Sequence, residues 1–126
     1  LHINEYVVRI PTTPNVSEYY SALDAFLLPS RFEGIPFTAI EAQCAGLPVL
    51  ASSDVPREAA ITDLYHWLSL TEPPEKWAKK LFELAEEGFN IDRCSYAFKV
   101  ASAGYDAAVT ASCVMSLYGL SMPASI

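Results

Sequence analysis

Two glutamates stand eight positions apart in "RFEGIPFTAIEAQCAGLPVLAS", residues 31 to 52, one before a Gly-x-Pro bend and one after it. Glu33 reads as a loop residue and Glu41 as a residue about a turn and a half into the helix that the loop feeds. An ionised carboxylate accepts hydrogen bonds from hydroxyls, and two neighbouring hydroxyls are what a ribose or a hexose presents. The first turn of a helix leaves its backbone N–H groups without intrahelical partners, so those of Gly34, Ile35, Phe37 and Thr38 can receive an anionic or hydroxyl-rich group. Pro36 has no N–H and instead presets the backbone for a helix start. A plainer reading stands beside this one. A glutamate in the first helical turns gains about 0.3–1 kcal/mol from the helix dipole, and a loop glutamate is simply solvated.

The elements that must position these residues follow from alternating short apolar runs and longer helical patterns, the mark of parallel strands joined by crossover helices. "YVVRI" (6–10) reads as a strand and "VSEYYSALD" as a short helix. "AFLLPS" is an unbroken apolar run ending at a proline, as expected for a strand covered on both faces. In the next segment Phe37, Ile40 and Cys44 recur at helical spacing, and Gly46 sits where a C-terminal cap belongs. "PVLAS" and "WLSL" read as further strands. Pro74 opens a helix with Trp77, Leu81, Leu84 and Ala85 on one face, stopped at Gly88. "DRCSYAFKVASAG" and "YDAAVTASCVMSLYGL" read as two packed helices. If the three later strands are consecutive in a doubly wound sheet they lie side by side, whereas "YVVRI" has lost its neighbours, and Tyr6 to Ile10 is expected either to pair with the "AFLLPS" edge, in its own chain or a partner's, or to hang loose. The predicted fold class is therefore α/β, a parallel sheet with flanking helices, whose ligands bind beyond the carboxyl ends of the strands. "PSRFEGIPF" is the loop at one such end.

Composition narrows the classes. The 126 residues are 52% hydrophobic with a mean hydropathy of +0.20, enough for one core and one domain. A formal charge of −7 leaves no basic stripe for a duplex or an anionic bilayer, so nucleic acid is not an expected partner. Cys44, Cys94 and Cys113 are odd in number and lie in apolar helical context, which reads as small core residues in a reducing, intracellular compartment. No window reaches the roughly 20 apolar residues of a membrane span. The chain opens without methionine and runs straight into "EYVVRI", so its start is expected to have been cut. His66 lacks partners at ligand spacing, and no Asp-x-Asp pair suggests a divalent ion with a diphosphate. No metal and no cofactor are expected. Trp67 and Trp77 read as core aromatics, Arg31 as an exposed loop cation, and Ser30, Ser52 and Ser53 as strand-end residues explained equally by ligand contact and by turn chemistry.

"DAFLLPSRFEGIPFTAIEAQCAGLPVLAS" resembles the donor-binding segment of the large retaining glycosyltransferase family marked by a Glu-x7-Glu motif, most of all its bacterial capsular and exopolysaccharide branch. The Pro-Ser before the paired glutamates and the Ala-Gly-x-Pro after them occur in the same order. "EAQCAGLPVLASSDVPREAAITDLYHWLSLTEPPEKWAKK" and "AGYDAAVTASCVMSLY" extend the likeness along nearly the whole chain. The resemblance implies a partial Rossmann-like domain, the later part of the C-terminal donor domain of a GT-B enzyme, with the N-terminal acceptor domain absent. It implies that Glu33 is the catalytic-site glutamate facing the donor sugar, and that Glu41 binds the ribose of the nucleotide. Gly34, Ile35, Pro36, Phe37 and Thr38 would lie against the sugar and diphosphate. The implied partners are a nucleotide sugar and a glycan or lipid-linked acceptor. The implied place is the cytoplasm, peripheral to the inner membrane face. Two departures stand out: the Arg and Lys that neutralise the family's diphosphate have no counterpart in residues 1–16, and "RIPTTPNV" carries prolines where the family has a glycine. The chain alone is accordingly expected to be inactive. The alternative is a non-catalytic nucleotide-binding or assembly module, and an open sheet edge would let either form self-associate.

Overall fold

The computed structural model describes residues 3–120. Three short strands, β1 (Phe26–Leu28), β2 (Val49–Ser52) and β3 (Tyr65–Leu68), form one parallel sheet in the order β1-β2-β3. Among the described residues five α-helices accompany it: α1 (Val16–Ala22), α2 (Phe37–Cys44), α3 (Pro74–Gly88), α4 (Arg93–Val100) and α5 (Ala107–Leu117). The architecture is α/β, a parallel sheet with flanking helices, as expected of a partial Rossmann-like domain.

The register sets Phe26, Val49 and Tyr65 side by side, and likewise Leu28, Ala51 and Trp67. Because side chains alternate along a strand, these six share one face. That face packs on Tyr20 of α1 and on Ala39 and Ala42 of α2, with Leu47, Val55 and Ala59 closing the core. The other face carries Leu27, Leu50 and His66. A groove of about 480 Å3 lies beside α3, lined by Leu27, Pro29, Leu70, Trp77 and Leu81. Burial, with Lys80 nearby, pushes His66 below the usual histidine range.

The end of α2 is set by one residue. Gly46 has φ +70°, its N–H donates to Gln43 O at 3.0 Å, and Leu47 N donates to Ala42 O at 2.9 Å, a Schellman closure. A Cβ on Gly46 would lie 2.7 Å from the Cα of Arg93, so α4 starts against this turn. The Arg93 guanidinium in turn donates to Leu23 O at 2.9 Å and Ser21 O at 3.4 Å, capping the carbonyl end of α1. Trp77 Nε1 donates to Ser69 O at 3.2 Å and pins the start of α3 to the exit of β3. Lys99 and Tyr96 of α4 both reach Asp63, and with its backbone they outweigh burial and hold that carboxyl below its ordinary value.

Several expectations need correction. "YVVRI" is not a strand: residues 4–6 form a 3-10 turn, the backbone then runs unpaired, the second of its two expected outcomes, and Tyr6, Val7, Val8 and Ile10 are exposed. Apolar spacing makes a strand only where a neighbour supplies hydrogen-bond partners, and Pro11 and Pro14 remove two donors nearby. The third strand begins two residues earlier than "WLSL", since its ladder with β2 starts at Tyr65 and a half-buried His66 is tolerated on the α3 face. Cys94 and Cys113 are exposed rather than core residues. The last helix buries no side chain among the described residues, and Gly104, at φ +100°, breaks it from α4.

Gly46→Ala is expected to cost about 2 kcal/mol or more, combining left-handed backbone strain with a clash into α4. Gly34→Ala, where a Cβ meets nothing within 4 Å, is expected to change stability by less than about 0.5 kcal/mol. Urea denaturation of the two variants checks the contrast.

Candidate functional site

The loop between β1 and α2 leaves the carboxyl end of the sheet at Pro29 and enters α2 at Phe37. Its shape is fixed from below by Ser52, fully buried at the end of β2, whose hydroxyl donates to Ser30 O and accepts from Asp54 N at 3.2 Å. The hydroxyl of Ser30 then donates to Glu33 Oε1 at 2.7 Å. Two hydroxyls in series thus hold a half-buried carboxylate at the mouth of the loop, and they assign Ser30 and Ser52 to positioning.

Beyond Glu33 the loop is open. Gly34, Ile35, Phe37 and Thr38 are exposed, and Pro36 is buried as the N-cap of α2 without a side-chain cap bond. Among the described residues the N–H groups of Gly34, Ile35, Phe37 and Thr38 meet no acceptor, so the positive end of α2 faces outward with its donors free. Phe32 is 90% exposed and Phe37 65%. The segment that carries the unsatisfied donors thus also exposes two aromatic side chains, a composition that suits a ligand with both polar and apolar faces.

Glu41 lies elsewhere. It is exposed on α2, where its Oε2 accepts from the Tyr20 hydroxyl at 3.0 Å, and it lines a pocket of about 380 Å3 between α1 and α2 with Val16, Ser17, Ser21 and Cys44. Burial and the adjacent carboxylate push the Tyr20 phenol up to about 12. The structure therefore gathers Glu33 through Thr38 at the loop and seats Glu41 in a neighbouring pocket, one helix linking the two.

Sequence reading missed three contributors. Tyr20 partners Glu41 across 21 residues, a pairing no local spacing announces. Gln43, fully buried, donates to Ala39 O and Ala59 O and accepts from Ile61 N, Thr62 N and Thr62 Oγ1. Tyr65 is buried against Trp67, with ring centroids 5.0 Å apart, and the Arg57 guanidinium sits 4.1 Å over the Trp67 ring. Burial, together with the Glu33 charge, raises the Tyr65 phenol to about 12. The Tyr65 hydroxyl and Trp67 Nε1 are both buried without an acceptor among the described residues. An exposed glutamine is the usual expectation from sequence, so only the unusual burial singles Gln43 out. Among the described residues no three His, Cys, Asp or Glu side chains cluster as a metal site, and no helix is long and apolar enough to cross a membrane.

Residues 2–87 match the family model described as Glycosyl transferases group 1. The chain is 31% identical over 116 residues to EpsF of Bacillus subtilis (strain 168), whose name designates a glycosyltransferase, covering 91% of this chain and 30% of that protein. It is 31% identical over 123 residues to a D-inositol 3-phosphate glycosyltransferase of Mycobacteroides abscessus, covering 94% of this chain and 27% of the relative. A shorter stretch of 38 residues is 45% identical to the lipopolysaccharide core biosynthesis mannosyltransferase LpsB of Rhizobium meliloti, covering 30% of this chain and 11% of that protein. The chain thus spans less than a third of the length of these relatives. No solved structure was found to match it.

Ser52→Ala is expected to cost about 1–2 kcal/mol, because it removes two part-buried hydrogen bonds, to the Ser30 carbonyl and from the Asp54 N–H, and leaves a small void at a fully buried position. Ser30→Ala, which removes one part-buried bond, is expected to cost about 1 kcal/mol or less. Thermal denaturation of the two variants gives the comparison.

Proposed function

Because the chain belongs to the group 1 glycosyl transferases, we propose that it is the donor-binding part of a nucleotide-sugar-dependent, retaining glycosyltransferase of polysaccharide biosynthesis. The observation that carries the reading is the β1–α2 loop: a carboxylate held by Ser30, followed at once by free backbone donors at a helix start beyond the carboxyl ends of a parallel sheet. In this reading Glu33 faces the donor sugar, Gly34 to Thr38 lie against the sugar and diphosphate, and Glu41 accepts from the ribose hydroxyls. The transferred group is a hexose and the acceptor a glycan or lipid-linked glycan at the cytoplasmic membrane face. Catalysis in such a site is mainly positioning, with stabilisation of an oxocarbenium-like state and of the departing phosphate. The reading calls on no metal or cofactor.

The reading also treats residues 1–126 as one part of a longer donor domain, in keeping with their share of the relatives' length. Residues 7–15 contribute no ladder to β1, and Leu27 on that edge strand is exposed. An unpaired apolar edge recruits another strand. Self-association of the chain through β1 is therefore part of the proposal, and size-exclusion chromatography should show the apparent mass rising with concentration. A monomer throughout would mean that the edge is covered.

Incubated with a panel of nucleotide sugars, the chain alone is expected to release or transfer no sugar, and turnover abolished by Glu33→Ala would contradict this. Nucleotide binding is expected to depend on Glu41 more than on Glu33, since a ribose contact needs neither the acceptor domain nor a diphosphate cation. A hydrogen bond to a charged group contributes about 1.5–3 kcal/mol, so Glu41→Gln should weaken binding about tenfold or more in calorimetry. Equal affinity for wild type and Glu41→Gln would remove Glu41 from the site.

A further inference from the structure

The Tyr20 ring is 6% exposed and packs against Phe26, with centroids 5.9 Å apart and planes tilted by 59°. Its hydroxyl emerges from that packing to meet Glu41 Oε2 at 3.0 Å, at the wall of the pocket between α1 and α2. With its phenol pushed up to about 12, Tyr20 remains a proton donor throughout the neutral range. The Glu41 carboxylate has no other hydrogen-bond partner among the described residues. A glutamate on an open helix face samples several rotamers and must give up that freedom when it binds a ligand. A carboxylate held by a rigid, buried ring has already lost much of it.

We propose that Tyr20 is the positioning residue for the diol contact of this pocket. By occupying one lone pair of Glu41 Oε2, it leaves Oε1 and the remaining lone pair of Oε2 to accept from two vicinal hydroxyls. The assignment rests on the reading of Glu41 as the ribose-binding carboxylate. Both polar atoms of the pair belong to the pocket, and the side chains around them, Val16, Ser17, Ser21 and Cys44, are small or apolar. A bond that merely stapled α1 to α2 would affect stability and would be indifferent to the hydroxyls of a ligand.

The test is a cycle on the full chain, with UDP, GDP and ADP as probes, each against its 2′,3′-dideoxy counterpart. Calorimetry compares wild type, Tyr20→Phe, Glu41→Ala and the double variant. Tyr20→Phe keeps the ring packing and is expected to lose about three- to tenfold in affinity for the ribonucleotide, the scale of one hydrogen bond. Affinity for the dideoxy form should stay unchanged, and the double variant should be no weaker than Glu41→Ala alone. If Glu41→Ala lowers the ribo-to-dideoxy ratio and Tyr20→Phe does not, the role of Tyr20 is overturned while the reading of Glu41 stands. A ratio indifferent to Glu41→Ala, or no binding of any probe by wild type, overturns the ribose reading and this assignment with it. Should Tyr20→Phe not fold, the phenol titration of Tyr20 in Glu41→Ala replaces it. Descent below the wild-type value supports the pairing, and an unchanged titration overturns it.

Discussion

The buried carboxamide of Gln43 is the constraint from which the placement of α2, and so of the site, follows. Its two N–H bonds run to Ala39 O at 3.0 Å and Ala59 O at 2.8 Å, while its oxygen accepts from Ile61 N and Thr62 N at 2.9 Å each. An amide at the centre of a hydrophobic layer is stable only when its donors and acceptor are matched, because each unmet group carries a desolvation penalty of about 1–3 kcal/mol. One side chain therefore locks the C-terminal turn of α2 to the segment leading into β3. The N-terminus of α2 can then face outward with its donors free, since the helix does not depend on a cap to hold its place.

A similar economy governs the loop. Ser52 uses one hydroxyl to fix the Ser30 carbonyl and the turn after β2, and Ser30 uses its own to orient Glu33. The carboxylate is thus positioned by the two strands whose ends it overlooks. Small residues make this possible: Ala39, Ala42 and Ala51 are fully buried, and Gly46 admits α4 to near contact with the end of α2. Close packing of the helices leaves the polar network no slack, and it holds the loop on the group 1 glycosyl transferase fold.

The two carboxylates have different surroundings, which suits different tasks. Glu33 is half-buried, bonded to a serine, and close enough to raise the phenol of Tyr65. Glu41 is exposed and bonded to a tyrosine anchored in the core. On β3 the Tyr65 hydroxyl and Trp67 Nε1 lack acceptors among the described residues, and the backbone donors of the β1–α2 loop are free as well. These groups hold unspent hydrogen-bonding capacity, whereas the network around Gln43 is fully matched.

Much of this was legible in the residues. Apolar runs at "AFLLPS" and "PVLAS", Pro74 at a helix start and Gly46 at a helix end determine their elements locally, because burial periodicity, a missing N–H and a left-handed φ are properties of single residues and near neighbours. The order β1-β2-β3 followed from the same alternation, and so did the loop that carries Glu33 to Thr38. Tertiary structure alone decided the rest. "YVVRI" has the pattern of a strand and no partner to make it one, and the third strand took its bounds from the ladder with β2 rather than from its most apolar residues. Tyr20 and Glu41, Ser52 and Ser30, and Gln43 and Ala59 meet across 16 to 22 residues. Hydrogen bonds of that span depend on how helices pack on a sheet, and a local pattern carries no record of it.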